Sequence, residues 1–355
     1  MARTSAKAPA VTAPSRPSLE HPLVGHSEAV EELASAMQGG RMHHGWLLYG
    51  PEGIGKAKLA QLASAFLVAP KARRGEGLSV DLEHPDARLI TQGAHPDANW
   101  LDKTTGSDGK KVPKSIPVGA VRSTMQKLQS TPAYGGWRSM VIDAVDDLNL
   151  DGANALLKPL EEPPRNTVLF LIVHSLSAVL PTIRSRCRHL ALNPLSLPDM
   201  QSLAGALAPQ SSSERIALAI ALANGRPGQM ADLLAPTSCL DSYADFCVLA
   251  AQIGGRGDLA KRLQFAGSLG SMAEKNRVDL LGLIEDWLSR RVRGQSEPDP
   301  LPTPDQALSL SGQQGLASLW SEHTSALSVR RAINLDISET MMALFAALDQ
   351  VYTQN

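Results

Sequence analysis

The segment Trp46-Leu-Leu-Tyr49 runs straight into Gly50-Pro-Glu-Gly-Ile-Gly-Lys56-Ala57, and the reading of that junction decides the fold. Four large, mostly apolar residues have the continuity of a strand buried on both faces. The stretch Lys56–Val68 behind the glycines is rich in Ala and Leu and reads as a helix. Strand, glycine-rich loop and helix, in that order, form the setting in which G-x-x-x-x-G-K binds phosphate. Gly50, Gly53 and Gly55 free backbone N–H groups to turn inward on an anion. The helix start adds its positive dipole end, and Lys56 is placed to reach the β- and γ-phosphates. One position breaks the pattern. A Ser or Thr hydroxyl should follow the lysine to hold Mg²⁺, and Ala57 has none. The loop can cradle phosphate but has lost a metal ligand.

Downstream, Ser139-Met-Val-Ile-Asp143 has the form of the second nucleotide strand, ending in a carboxylate that would help hold Mg²⁺ through water. In ATPases with this strand a Glu commonly follows and polarises the attacking water. Here that residue is Ala144, whose methyl group cannot accept a proton. Asp146 and Asp147 come later and read as solvated or capping residues rather than substitute bases. Two catalytic positions of one site are alanine, which fits degeneration better than a new mechanism. Further strands are expected at Ala87–Thr91 and Val168–Val173, a helix at Val118–Gln129, and loops at 70–86 and 102–117. Strands alternating with helices up to about Pro194 predict a parallel α/β sheet.

Past Pro194 the β signal stops. Pro198–Ala208, Ser213–Asn224 and Pro227–Leu234 read as short helices, with Asn224-Gly225 ending the second. Helical periodicity continues from about Ser242 to Arg293, a proline-rich stretch over 298–304 interrupts it, and two more helices close the chain. The expected division is a disordered tail over 1–20, the α/β domain over 21–194, a small helical lid over 195–238 and a helical C-terminal domain over 239–355. A length of 355 residues suits two or three domains. With 43% hydrophobic and 19% charged residues and no long single-sign run, the chain is not mostly disordered. A net charge of −1 supplies no global field toward DNA or anionic lipid, so any nucleic-acid contact must be local or shared with partners. No apolar run reaches the ~18 residues of a membrane span, and residues 1–20 lack the apolar core of a secretory signal. Cys187, Cys239 and Cys247 have no CxxC spacing, so neither a zinc ribbon nor a disulfide framework follows. A soluble, reduced, cytoplasmic protein is the expectation.

Three segments carry a family resemblance. Asn154-Ala-Leu-Leu-Lys-Pro-Leu-Glu-Glu-Pro-Pro164, then Thr167–Val173, then Ile183-Arg-Ser-Arg-Cys-Arg188 resemble the clamp-loader branch of the AAA+ ATPases. Their spacing is similar to that of the delta-prime subunits of bacterial DNA polymerase III clamp loaders. Leu23-Val-Gly-His26, His95-Pro-Asp97 and Asn334-Leu-Asp336 also fit that family. The likeness covers about residues 21–194, and the helical remainder agrees mainly in architecture. It implies a RecA-like AAA+ α/β domain, a helical lid and an all-α C-terminal oligomerisation domain. It further implies an ATPase-defective member of a ring that opens the sliding clamp and places it on primed DNA. The implied partners are gamma/tau-type and delta-type subunits, with clamp and DNA reached through the complex and no membrane. Arg186, the second arginine of Arg-Ser-Arg-Cys, is implied to project into the ATP site of the neighbouring subunit. An arginine supplied in trans neutralises charge on the transferring γ-phosphoryl group and can be worth about 10³–10⁵ in rate. Arg184 and Arg188 are expected to be structural or phosphate-facing, and Cys187 a packed small side chain.

The departures from the family pattern point the same way. Residues 70–94 hold no cysteine and only His84, so no zinc is expected, and His84 alone reads as a loop histidine. Val173, His174 and Ser175 offer no Thr or Asn at the sensor place. Asn224-Gly-Arg-Pro-Gly228 has glycine where active relatives carry an arginine that senses γ-phosphate, with Arg226 two positions early. The expectation is therefore no required cofactor and no bound metal. Weak ATP or ADP binding at Gly50, Gly53, Gly55, Lys56 and Asp143 would be the most the site does, without turnover. No set of carboxylates for two metals is present, so any nucleotidyltransferase label belongs to the polymerase holoenzyme rather than this chain. The loop carrying Lys103, Lys110, Lys111 and Lys114 also holds Asp102 and Asp108, lacks aromatics, and reads as solvated rather than DNA-binding. Leu280, Leu283, Ile284, Trp287 and Leu288 suit either a subunit collar or internal core. The competing class is a self-sufficient AAA+ ATPase motor, whose best feature is the retained Lys56.

Overall fold

A computed structural model describes residues 17, 19, 23–40, 42–70, 74–105, 113, 115–254, 257–295, 301–302, 309–333 and 337–353. Nearly all of the tail expected over 1–20 lies outside the described residues. So do Asp108, Lys110, Lys111, Lys114, most of 298–304, and Asn334–Asp336. The chain divides into two compact units, Met1–Asp199 and Met200–Asn355.

The first unit is built on five parallel strands, β1 (Gly45–Tyr49), β2 (Ala98–Asp102), β3 (Arg138–Asp143), β4 (Thr167–Val173) and β5 (Arg188–Ala191), in the order β2-β3-β4-β1-β5. Its helices are α1 (Ser27–Gln38), α2 (Lys56–Val68), α3 (Pro85–Thr91), α4 (Val118–Lys127), α5 (Leu150–Ala155), α6 (Leu157–Glu161) and α7 (Pro181–Arg184). The period of two along each strand fills two separate layers. Val168, Phe170 and Ile172 pack with Leu33 of α1 and Leu59 and Phe66 of α2. Leu169, Leu171 and Val173 pack on the other face with Val121 of α4 and Leu160 of α6. Both faces are covered, so β1 and β4 are apolar almost throughout. Each Leu or Phe fully buried this way contributes about 1.5–3 kcal/mol.

Three expectations about this unit need correction. Ala87–Thr91 is a helix, α3, not a strand. Pro85 occupies its first turn, and the His84 ring Nδ1 accepts the Asp86 N–H, capping the helix. Ala87 and Ile90, three apart, are its buried residues, which is helical spacing. The strand lies instead at Ala98–Asp102, just after His95-Pro-Asp97, in a segment whose Asn99 and Asp102 interrupt the apolar run. The third difference is β5, an edge strand in which only Leu190 is buried, so Arg188-His-Leu-Ala191 gives no apolar signal. The expected helix Lys56–Val68 is present with those bounds.

The division between units falls within α8 (Leu197–Leu207). The second unit is helical: α9 (Ser213–Ala223), α10 (Pro227–Leu234), α11 (Leu240–Ala251), α12 (Leu259–Leu269), α13 (Glu274–Val292), α14 (Leu310–Ile333) and α15 (Ile337–Thr353). Asn224 takes the left-handed conformation at the end of α9, as the Asn-Gly pair suggests. Phe246 is the centre of an aromatic cluster, with Trp287 edge-on at 5.4 Å and Phe345 tilted at 5.7 Å. Leu280, Leu283, Ile284, Trp287 and Leu288 are all buried inside this unit, which assigns that face of α13 to internal core rather than to an open collar surface. Among the described residues no helix is long and apolar enough to cross a membrane.

Candidate nucleotide loop and trans-arginine site

β1 delivers the chain to the glycine-rich loop, and α2 starts immediately behind it. Gly50 has φ +149°, and a Cβ there would be driven into the carbonyl oxygen of Leu192, which continues from β5. Only glycine meets both demands. Gly53 and Gly55 also have positive φ, and Gly55 opens α2. The loop is held from outside as well. His26, at the start of α1, donates its Nε2–H to the Ile54 carbonyl at 2.9 Å. Lys56 is 4% exposed, and its ammonium donates to the carbonyls of Gly50 at 2.6 Å and Pro51 at 2.8 Å. Burial lowers the Lys56 pKa, opposed by the charges of Asp143, Asp146 and Glu52.

Asp143 ends β3 beside this loop, where it and Lys56 feel each other's charge. Burial pushes its carboxyl up to about 6. Asp102, its partner in the β2–β3 register, and Asp147 push the same way, while His174 and Lys56 oppose the rise. Ala144 is 2% exposed and sits in the apolar layer with Ile54 and Phe170. Asp146 accepts the backbone N–H of His174 at 2.9 Å and pairs with its ring Nδ1 at 3.2 Å, tying the turn after β3 to the end of β4. Asp147 pairs with Lys103 at 2.7 Å. Both carboxylates are thus engaged within the unit. Gly50, Gly53, Gly55 and Lys56 lie beside Asp143, and the Lys56 ammonium turns toward the carbonyls of its own loop. The residues present do not fit Mg²⁺. Ala57 offers a methyl group where a hydroxyl ligand belongs, and the residue after Asp143 is likewise an alanine.

Arg186 lies elsewhere, just before β5 and therefore at the N-terminal edge of the parallel sheet. Its Nη2 pairs with Glu161 Oε1 at 2.8 Å, and Nη1 donates to the Thr182 carbonyl at 2.9 Å. Sequence reasoning did not find Glu161: it is 25 positions away in the chain, on α6, and no local spacing links the two. The other arginines nearby serve the fold. Arg184 donates to the Leu176 carbonyl, and Arg188 pairs with Glu32 at 2.8 Å and lies over the Trp46 ring. Burial pushes the Cys187 thiol up to about 12, the state of a packed and unreactive side chain. In the second unit, Arg226 donates to the Ala223 carbonyl at the end of α9. Among the described residues no group of three or more His, Cys, Asp or Glu could hold a metal ion.

A phosphate loop after β1, a carboxylate ending β3 and a five-stranded parallel sheet between two helical layers define an AAA+ α/β domain, followed here by a helical C-terminal portion. Residues 25–196 match the family described as DNA polymerase III, delta subunit. The chain is 35% identical over 199 residues to the DNA polymerase III subunit delta' of Pseudomonas aeruginosa, covering 56% of this chain and 58% of that protein. It is 32% identical over 202 residues to the subunit delta' of Escherichia coli, covering 56% of each. It is 27% identical over 286 residues to the E. coli subunit tau, covering 79% of this chain and 42% of that protein. The chain thus spans somewhat over half the length of the delta' relatives. A solved gamma subunit-related protein of Thermotoga maritima superposes with a TM-score of 0.50 at 16% identity, over 91% of this chain and 99% of that one, a likeness of fold alone. Over residues 25–196 the chain is therefore similar to the delta and delta' subunits of DNA polymerase III.

Proposed function

We propose that this chain is the stator of a DNA polymerase III clamp loader, a ring member that hydrolyses no ATP and supplies Arg186 to the nucleotide of its neighbour. The observation that carries the reading is the separation of the two sites. The phosphate loop follows the C-terminal end of β1, while Arg186 sits before β5, level with the N-terminal end of β1. Five residues of strand, at about 3.3 Å each, put roughly 15 Å between them. An arginine placed there cannot serve its own loop, so if it meets a triphosphate the triphosphate belongs to another subunit. Ala57 and Ala144 support the other half of the reading, because the chain's own loop lacks the metal ligand and the base that hydrolysis needs. Its partners are then gamma/tau-type and delta-type subunits, with the sliding clamp and primed DNA engaged through the assembly, and the helical second unit contributing to oligomerisation.

The test is a loader reconstituted with gamma/tau-type and delta-type subunits, in which only the ATP site facing this chain is left competent. Arg186→Ala is expected to lower DNA- and clamp-stimulated turnover at that site by about 10³-fold or more. Unchanged turnover in an intact complex overturns the proposal. A second reading, a self-sufficient ATPase, draws on the loop glycines and Lys56. It is favoured if the purified chain hydrolyses ATP and Lys56→Ala abolishes the activity.

A further inference from the structure

The ion pair on Arg186 ties its guanidinium to the end of α6, beside α7, two helices whose Leu160 and Ile183 share one apolar layer. Glu161 is the last residue of α6, and Thr182 lies within α7. Each support follows or precedes a residue anchored in the core. Leu160, next to Glu161, is buried in the sheet core, and its carbonyl accepts the His44 Nε2–H at 3.0 Å. Ile183, next to Thr182, is fully buried. Arg186 Nη2 pairs with Glu161 at 2.8 Å, and Nη1 donates to the Thr182 carbonyl at 2.9 Å and to Ser185 Oγ at 3.4 Å. The terminal nitrogens are therefore held from two sides, by the Glu161 carboxylate and the Thr182 carbonyl. Among the described residues the Nε–H has no hydrogen-bond partner, and about a third of the side chain is exposed.

A half-exposed ion pair of this kind adds little to stability. What it does accomplish is positional. An arginine has a long stem with many rotamers, and a finger must present its guanidinium in one orientation when charge develops on the phosphoryl group. We infer that Glu161 is a positioning residue for Arg186, holding the guanidinium by its terminal nitrogens so that its Nε edge is offered to a phosphoryl oxygen. The inference rests on the trans-arginine reading above. The open Nε–H lets phosphate be met without giving up Glu161, so the carboxylate acts as a support and not as a latch to be broken.

The experiment uses the reconstituted loader with one competent site facing this chain, with ATP as the probe. Glu161→Ala is expected to lower kcat about three- to tenfold while leaving KM for ATP unchanged, because nucleotide affinity resides in the neighbour. Glu161→Gln is expected to recover most of the loss, since its amide oxygen still accepts from Nη2. Thermal midpoints of all variants should coincide. In the isolated full chain, ¹⁵N relaxation of the Arg186 Nε–H should show a side chain ordered in the wild type and in Glu161→Gln but mobile in Glu161→Ala. Wild-type kcat in Glu161→Ala, in a complex where Arg186→Ala is defective, overturns the inference. So does an Arg186 side chain that stays equally ordered without the carboxylate. If Arg186→Ala is itself silent, the trans-arginine reading fails and this inference falls with it, while the relaxation data still show whether Glu161 restrains the side chain. The two failures are therefore distinguishable.

Discussion

Replacing Asp143 by Asn should make the first unit more stable, and more so the higher the pH. Burial at the end of β3 lifts the Asp143 pKa from its ordinary 3.8 to about 6, with Asp102 and Asp147 adding to the rise and His174 and Lys56 opposing it. The folded chain therefore holds this proton more tightly than the unfolded chain does. Between about pH 4 and 6 the unfolded state ionises first, and the folded state loses stability as the pH climbs through that window. About two pH units at 1.36 kcal/mol each, reduced for residual exposure, give about 2–3 kcal/mol at pH 7.5, and well under 1 kcal/mol at pH 4. Asparagine has the same shape and no charge to bury. Asp143→Asn should then raise the urea midpoint of the first unit by roughly 1 M at pH 7.5 and hardly at all at pH 4. Tryptophan fluorescence can follow the transition, since Trp46, Trp100 and Trp137 all belong to this unit. Equal stability of the two proteins at pH 7.5 would refute the reasoning, and so would a gain of the same size at both pH values.

Three further substitutions probe the same unit. Gly50→Ala should cost about 2 kcal/mol or more, because the added methyl meets the Leu192 carbonyl at a φ that side chains avoid, and a urea melt would register it. Ala144→Glu, which restores the residue type of an active site, should cost about 3–5 kcal/mol, since it puts a carboxylate into the apolar layer around Ile54. A variant that folds with wild-type stability in the same melt would show that this layer can open. Asp97→Ala should cost about 2–4 kcal/mol. The Asp97 carboxylate accepts the N–H groups of Ala133 at 2.9 Å and Tyr134 at 3.1 Å, and hydrogen exchange at those two amides should accelerate before the rest of the unit.

The junction at Gly50 was legible because backbone geometry there admits only a few residue types, and a buried parallel sheet leaves continuous apolar runs such as Thr167–Val173. The same rule explains the misses. β2 sits at an edge of the sheet and carries Asn99 and Asp102, and β5 sits at the other edge with Arg188 and His189 exposed, so neither writes an apolar run. Ala87–Thr91 does contain Leu and Ile, but its capping signals, His84 and Pro85, come before the apolar residues and decide for a helix. Around the candidate site, the glycines, Lys56 and Asp143 are local in sequence to their strands and could be found. The contacts of Glu161 with Arg186, and of Asp146 with His174, join residues 25 and 28 positions apart. Those pairs exist because parallel strands bring separate segments together, Glu161 and Arg186 before β4 and β5, Asp146 and His174 after β3 and β4.

Lys56 was the strongest sequence argument for a working ATPase, and its surroundings weaken that argument. Its ammonium bridges the carbonyls of Gly50 and Pro51, closing the loop on the first turn of α2, in concert with His26 on Ile54. Carbonyls turned inward need donors, and this lysine supplies two of them. The residue therefore has a reason to be present that requires no nucleotide. Burial at the same time lowers its pKa, so the cation is held against a desolvation cost that Asp143, Asp146 and Glu52 partly offset. Lys56 thus meets the loop's carbonyls on one side and feels the carboxylate charge of Asp143, beside the loop, on the other. On the proposed reading, Ala57 and Ala144 are residues such an arrangement tolerates, since neither is needed to hold the loop's shape. A glycine-rich loop held by Lys56 and His26 keeps its shape by contacts that need no nucleotide, which is what the proposed stator role requires of it.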